Sequence, residues 1–292
     1  MPEELTASGA AGLACAKINL TLHVTGRQED GYHRLQSLVV FASIADRITA
    51  HPASAQSLTI GGPMAPDLIP VRSDNLVLRA ADAFLRAAGL DVSYRFHLEK
   101  TLPVASGIGG GSADAAAVLR VLSQLHPGLV SSEALEELAL GLGADVPVCL
   151  ASRSAVMSGI GEIVSPAPAL PPLGLVLVNP GVSVPTPAVF KALTRRSNPP
   201  MPDLPDRIQT LAQLAGLLER TRNDLEAPAV AVCQQISEVL SALAADRDIA
   251  FARMSGSGAT CFGLCAREDA ADIAVRLRAA HPAWWVAGGE IV

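Results

Sequence analysis

Between Cys15 and Val24 the chain alternates strictly, with Ile18, Leu20, Leu22 and Val24 on one side and Lys17, Asn19, Thr21 and His23 on the other. A period of two predicts a strand with one buried face. The same alternation follows Val92, with Tyr94, Phe96 and Leu98 apolar, and predicts a second strand. Ahead of it, Leu76, Val77, Ala80, Ala83, Phe84 and Ala87 recur at helical spacing, with Ser73 or Asp74 to cap the start and Gly89 suited to the exit. A loop and a glycine cluster then lead into a helix from about Ser112 to Leu125, halted by Pro127-Gly128, and a further helix fits Glu133 to Leu142. Beyond the proline-rich connector Ser165 to Gly174, GLVLVNP reads as a buried strand, and Asn198 to Asp206 is a second proline-rich loop. Helices follow around Ile208 to Arg220, Ala227 to Ala245 and Asp269 to Ala280, with strands around Ala250 to Met254 and Thr260 to Cys265. Strands and helices on both sides of the connector predict a two-domain α+β architecture, divided as 1–168 and 169–292.

Composition narrows the class. With 292 residues, half of them hydrophobic, the chain has material for a large globular core. A net charge of −6 excludes general nucleic-acid affinity, which needs a broad surface that neutralises phosphates. Charges, prolines or glycines interrupt every apolar run before it reaches spanning length, so no membrane segment is expected. The acidic start MPEELTASGA lacks the basic flank and apolar block of a signal peptide. The five cysteines are odd in number and form no CxxC pair. They read as small buried hydrophobes in a reducing compartment, which predicts a cytoplasmic protein.

SGIGGGSADAA, Ser106 to Ala116, sets four glycines just ahead of an alanine-rich helix. Glycine loses the most freedom on ordering, so such a cluster must do something that only bare backbone can do. A helix start offers unpaired N–H groups and the positive end of a dipole, and a glycine turn lets those groups close around a phosphate. No Gly-Lys-Ser/Thr follows, so this is not a Walker A loop. The dinucleotide pattern set by Gly107 and Gly109 would need a third glycine where Ser112 stands. A second cluster, MSGSGATCFGL from Met254 to Leu264, repeats the theme and suggests one nucleotide site built from both.

PVASGIGGGSADAA and MSGSGATCFGL resemble the central and C-terminal motifs of the GHMP kinase superfamily, which binds ATP through a loop unlike Walker A. AKINLTLHVTGRQEDGYHRLQSL, LGADVPVCL, GIGEIVSP, NPGVSVPTPAVF and RNDLE narrow the resemblance to its kinases of 4-diphosphocytidyl-2-C-methyl-D-erythritol. The likeness runs from Ala16 to Leu264. It implies an N-terminal ribosomal-protein-S5-like domain and a C-terminal ferredoxin-like domain. It implies transfer of the γ-phosphoryl of ATP to the substrate's 2-hydroxyl, in the non-mevalonate isoprenoid route, with Mg²⁺ bridging the ATP phosphates. Lys17 and Asp145 become the catalytic pair, and Pro103, Val104, Ala105, Ser106, Gly107, Ile108, Gly109, Gly110, Gly111, Ser112 and Ala113 the ATP loop, with Asn75 near the adenine. Tyr32 and His33, with Phe190, clamp the cytosine, and Asn19 and Thr186 complete the substrate residues.

The residues support these roles on their own terms. Lys17 and Asn19 share the polar face of the first strand. Asp145 stands in GADVP, where the proline is expected to forbid further helix and leave the carboxylate projecting into a cleft. A carboxylate beside an alcohol can take its proton, and Lys17 either holds that carboxylate ionised or favours the developing alkoxide. No acidic pair spells a metal site, although Ser112 offers a hydroxyl to Mg²⁺. Against each reading stands a plainer one: a turn aspartate, a solvated strand lysine, a loop tyrosine lying on its own strand, and Trp284-Trp285 as C-terminal packing. Cys15 replaces the family's usual proline, and the first dozen residues match nothing and are expected to be loose. A monomer or weak homodimer is expected. The rivals are another small-alcohol kinase of the superfamily, or a catalytically silent nucleotide-binding module.

Overall fold

A computed structural model describes residues 9–29, 31–68 and 74–292. The chain opens with β1 (Ala10–Asn19), β2 (His23–Arg27), β3 (His33–Ala53) and β4 (Ser57–Gly61). Next come α1 (Leu76–Ala87), β5 (Ser93–Glu99), α2 (Gly110–Leu125), α3 (Ser132–Leu142) and α4 (Val146–Ala151). β6 (Ala155–Gly159), β7 (Ile163–Pro166), β8 (Gly174–Asn179), α5 (Thr186–Ala192), α6 (Leu211–Glu219) and α7 (Glu226–Val232) follow. α8 (Gln235–Ala245), β9 (Ile249–Met254), β10 (Cys261–Cys265), α9 (Ala270–Ala280) and β11 (Trp285–Glu290) complete the order. No described helix is long and apolar enough to cross a membrane.

Two compact units form, and the chain passes between them more than once. The first takes the described residues to Ala14, then Ala45–Val104 and Gly111–Ala151. In it the later part of β3 pairs antiparallel with β5, Arg47 opposite Glu99 and Ala53 opposite Ser93, while β4 runs parallel to β5. Tyr94, Phe96 and Leu98 are buried as their alternation predicts. α1 turns Val77, Ala80, Ala81, Phe84 and Leu85 inward. α2 is buried nearly all round, since its alanines let neighbouring backbone approach closely.

The second unit takes Cys15–Ile44, Ala105–Gly110 and Ser152–Val292. Here the first part of β3 pairs antiparallel with β2 and β6, and β6 with β7. A separate antiparallel sheet has the order β11-β8-β10-β9. β8 is buried along its whole length, as its unbroken apolar run predicts. Its core gathers Val176, Val178, Val189, Ile236, Val239, Leu243, Ile273 and Ala274. The Arg253 guanidinium lies within this unit and donates to the carbonyls of Leu20, Leu218 and Thr221 and to the Thr221 hydroxyl.

Several expectations change. The first strand splits at Leu20–Leu22 into β1 and β2, and its polar face is buried: Lys17 and Asn19 are each 4% exposed, and Thr21 and His23 are fully covered. Residues 10–12, expected to be loose, lie in β1, where a side chain at Gly12 would meet Val121 of α2. α2 begins at Gly110, so two glycines of the cluster form its first turn. The helix expected over Ala227 to Ala245 is two helices, because Cys233 adopts an extended conformation between α7 and α8. Asn75, not Asp74, caps α1, its Oδ1 accepting from the Val77 N–H at 2.9 Å; Ser73 lies outside the described residues. Gly89, at φ +65°, provides the exit. Trp284 stacks on His281 with ring centroids 3.7 Å apart, a packing role.

Candidate active site

The second unit brings the two glycine clusters into contact. Ala105, Gly107 and Gly109 have φ of +49°, +75° and +67°, which folds the turn tightly before α2. A Cβ at Gly107 would lie 2.5 Å from the Ser255 carbonyl and 2.7 Å from the Gly258 nitrogen, so the position admits no side chain. Gly256, at φ +56°, meets Gly107 from the other side, its notional Cβ 2.6 Å from the Gly107 carbonyl. Ser255 fastens the contact: its Oγ accepts from the Asn19 N–H at 3.1 Å and donates to the Gly107 carbonyl at 3.0 Å. The Thr260 N–H donates to the Ser106 carbonyl at 3.1 Å.

Lys17 belongs to the same construction. Its N–H donates to the Ile108 carbonyl at 3.0 Å, and a Cβ on Gly109 would lie 3.2 Å from its Cε. The Lys17 stem therefore runs along the glycine turn. Asn19, one pleat on, donates from Nδ2 to Ser37 Oγ at 2.7 Å. A residue that sequence reasoning passed over holds the other turn: Asn223 Nδ2 donates to the carbonyls of Met254 and Gly256 at 2.8 and 2.9 Å. Its motif, RNDLE, supported the family resemblance, but nothing in its spacing points 31 residues along the chain.

Tyr32, His33, Thr186 and Phe190 lie in this unit too. Tyr32 is 61% exposed, in a turn whose Gly31 has φ +95°; Asp30 lies outside the described residues. His33 stacks directly on Phe190, centroids 4.8 Å apart and planes 23° from parallel. Burial, then the nearby Arg27 and Arg196 charges, lower the His33 pKa and favour a neutral ring. Thr186 opens α5 between Pro185 and Pro187, and its hydroxyl lies 2.8 Å from that of Ser257.

The first unit carries Asp145, Asn75, Pro103, Val104 and Gly111 to Ala113. Asp145 is partly exposed in the turn between α3 and α4. The expectation that Pro147 bars further helix is corrected: α4 starts at Val146, and a proline in a first turn lacks only an N–H that has no helical partner anyway. The Asp145 carbonyl accepts from the Cys149 N–H at 3.3 Å. Arg120 anchors the far end of α4, donating to the carbonyls of Cys149 at 2.6 Å and Leu150 at 3.3 Å, and to Leu13 at 2.7 Å.

Beneath α2 lies a buried charge cluster. Lys100 Nζ donates to Asp46 Oδ2 at 2.5 Å and Asp114 Oδ2 at 2.7 Å. Asp46 Oδ1 also accepts the N–H groups of Thr101 and Leu102 at 2.6 and 2.8 Å. Burial pushes the Asp114 carboxyl up to about 7; Lys100 pulls against this and Asp46 adds to it. The lysine had a legible signal: it continues the phase of Tyr94, Phe96 and Leu98, on the apolar face. Among the described residues no group of three or more His, Cys, Asp or Glu side chains could hold a metal ion.

Residues 75–153 match the GHMP kinases N terminal domain, and residues 200–283 match GHMP kinases C terminal. The paired glycine turns and these matches define the class: an α+β, two-domain GHMP kinase. A 4-diphosphocytidyl-2-C-methyl-D-erythritol kinase of Cereibacter sphaeroides is 59% identical over 276 residues, covering 94% of this chain and 96% of the relative. One from Caulobacter vibrioides is 47% identical over 282 residues, covering 94% and 97%. The crystal structure of a 4-(cytidine 5'-diphospho)-2C-methyl-D-erythritol kinase aligns with a TM-score of 0.79 at 38% identity, covering 96% of this chain and 98% of that one. The chain belongs to the 4-diphosphocytidyl-2-C-methyl-D-erythritol kinase family. Homoserine kinase from Cytophaga hutchinsonii, at TM-score 0.70 and 18% identity over 98% of this chain and 96% of that one, shares the fold.

Proposed function

We propose that this protein transfers the γ-phosphoryl group of ATP to the 2-hydroxyl of 4-diphosphocytidyl-2-C-methyl-D-erythritol, giving the 2-phosphate of the non-mevalonate isoprenoid route. The observation that carries the reading is the pairing, in one unit, of two interlocked glycine turns with the Tyr32, His33 and Phe190 rings. The turns suit a triphosphate and the rings suit a base; homoserine or mevalonate carries no base to stack.

In this reading the loop from Pro103 to Ala113 and the start of α2 take the ATP phosphates, with Asn75 near the adenine. Lys17 neutralises charge at the transferring group or the developing alkoxide. Asp145 receives the hydroxyl proton, while Asn19 and Thr186 position the substrate. Tyr32, His33 and Phe190 hold the cytosine, the aromatic rings by stacking and His33 by a hydrogen bond to a base edge. Phosphoryl transfer has a loose transition state, so positioning and charge neutralisation carry most of the rate. Among the described residues the donor set offers Mg²⁺ the Ser112 hydroxyl and no carboxylate cluster. Such a set fits an ion held mainly by the ATP phosphates, where it neutralises their charge.

Among the described residues the five cysteines form no disulfide and four of them are buried, which suits a reducing cytoplasm. A monomer or weak homodimer is proposed.

Phosphate transfer assayed on the cytidylylated polyol and on free methylerythritol tests the substrate: turnover is expected with the first, and turnover confined to the second would overturn the reading. Gly107→Ala tests the phosphate turn. A side chain at positive φ costs about 1–3 kcal/mol, and the clash with Ser255 adds to it. Affinity for a non-hydrolysable ATP analogue is expected to fall at least about tenfold, the equivalent of roughly 1.4 kcal/mol, in titration calorimetry. Unchanged affinity would remove the turn from the site.

A further inference from the structure

Ser37, on β3, is 2% exposed and has two partners on the chain that leads from β1 to β2. Its Oγ lies 2.5 Å from the Thr21 carbonyl oxygen and 2.7 Å from Asn19 Nδ2. A carbonyl oxygen can only accept, so the Ser37 proton is committed to Thr21. The Ser37 oxygen then has nothing but acceptor capacity left, and the arm of the Asn19 carboxamide that meets it must be the NH₂ group. Oδ1 occupies the other arm, 3.4 Å from the point that a Cβ on Gly256 of the second glycine turn would take. Among the described residues no hydrogen bond reaches this Oδ1.

The backbone beneath is equally fixed. The Asn19 N–H donates to Ser255 Oγ at 3.1 Å, the Leu20 N–H to the Leu38 carbonyl at 2.8 Å, and the Leu38 N–H to Thr21 Oγ1 at 2.9 Å. All of these residues belong to the second unit. The two arms of a carboxamide are nearly the same shape, so packing does not choose between them and hydrogen bonding alone does. An alcohol that meets Oδ1 must donate to it, whereas one that met Nδ2 would have to accept. We infer that Ser37 is a positioning residue, which holds Asn19 Nδ2 and so presents Oδ1 as a fixed acceptor for a hydroxyl of the polyol substrate. This rests on the kinase reading, in which Asn19 is a substrate residue. Each hydroxyl of a polyol is both donor and acceptor, so an acceptor of fixed direction selects one orientation of the polyol. Without Ser37 the carboxamide is free to turn over and present a donor instead.

Steady-state kinetics with ATP and 4-diphosphocytidyl-2-C-methyl-D-erythritol, paired with titration of a non-hydrolysable ATP analogue, tests this role. Ser37→Ala is expected to lower kcat/KM for the polyol about tenfold or more and to leave the Kd of the analogue within about twofold. Ser37→Thr, which keeps the hydroxyl on a residue suited to a strand, should retain most of the activity. In an Asn19→Ala background Ser37→Ala should cost little further, because the amide that it held is gone. A serine that merely supported the strand through the Thr21 carbonyl would cost the same in both backgrounds, and that result overturns the proposal. A kcat/KM for Ser37→Ala within about twofold of the unaltered protein also overturns it. Should Ser37→Ala fail to fold, Ser37→Cys decides, since a thiol is close to the hydroxyl in size but a weak hydrogen-bond partner; it should lose activity as alanine does, and full activity sinks the role. Each of these failures leaves the kinase reading standing as long as the unaltered protein turns over the cytidylylated polyol. If the unaltered protein does not, that reading falls and the role of Ser37 with it.

Discussion

Asp145→Asn is expected to lower kcat by about 10²–10⁴-fold while leaving affinity for an ATP analogue within a few-fold. Asparagine keeps the size and hydrogen-bonding reach of aspartate but cannot accept a proton at neutral pH, so it removes the chemistry and preserves the shape. The turn around residue 145 should survive, because backbone bonds and Arg120 hold α4. Because the transition state is loose, the lower part of the range is the natural expectation. Steady-state kinetics paired with analogue titration checks this. A kcat within threefold of the unaltered protein would strip Asp145 of the proton-accepting role, and the same result with intact ATP binding would reopen the case for a different base.

Lys100→Met carries the largest expected effect on stability. The Lys100 side chain is 2% exposed and its ammonium serves two carboxylates; burial opposes its charge, but Asp114 and Asp46 together outweigh that burial and raise its pKa. Methionine fills a similar volume and leaves both acids without a cation. Breaking a buried ion pair from one side typically costs about 3–5 kcal/mol, since a buried charge is left uncompensated. The denaturation midpoint in urea, followed by circular dichroism, should fall accordingly. Asp46 retains the N–H groups of Thr101 and Leu102, so Asp114 is the acid left most exposed to the loss. Removing it as well, in Lys100→Met with Asp114→Leu, should recover much of the stability. An unmoved midpoint in the single variant would show that the cluster is not held by the lysine.

What could be read from the sequence, and what could not, follows from which forces are local. β5 and β8 were legible because each presents one kind of neighbour along its length, half-buried in one case and fully buried in the other. β3, the longest strand at 21 residues, was not. It is buried on both faces from Ser37 to Ala42 and pairs with β2 and β6 early and β5 late, so no single period survives along it. The buried polar side of β1 was misread for the same reason: alternation reveals two faces but not what covers each. The break at Cys233 carries neither glycine nor proline to signal it. In the site, the glycine turns announced themselves because bare backbone has few other uses. Asn223 and Ser257 act through partners distant in the chain, which spacing does not encode, and the phase of Lys100 marks it as inward-facing without naming Asp46 and Asp114 as its partners.

Asn19 and Ser255 stand 236 positions apart and are bonded, and Arg253 reaches back to Leu20 across 233. The ribosome therefore releases Lys17 and the Gly107 turn well before it releases the residues that hold them in shape. A nascent chain halted ahead of residue 255 would carry every early piece of the proposed phosphate grip yet grip nothing. Nucleotide capture should arise late in translation and in a single step, as the second glycine turn clears the exit tunnel and closes on the first.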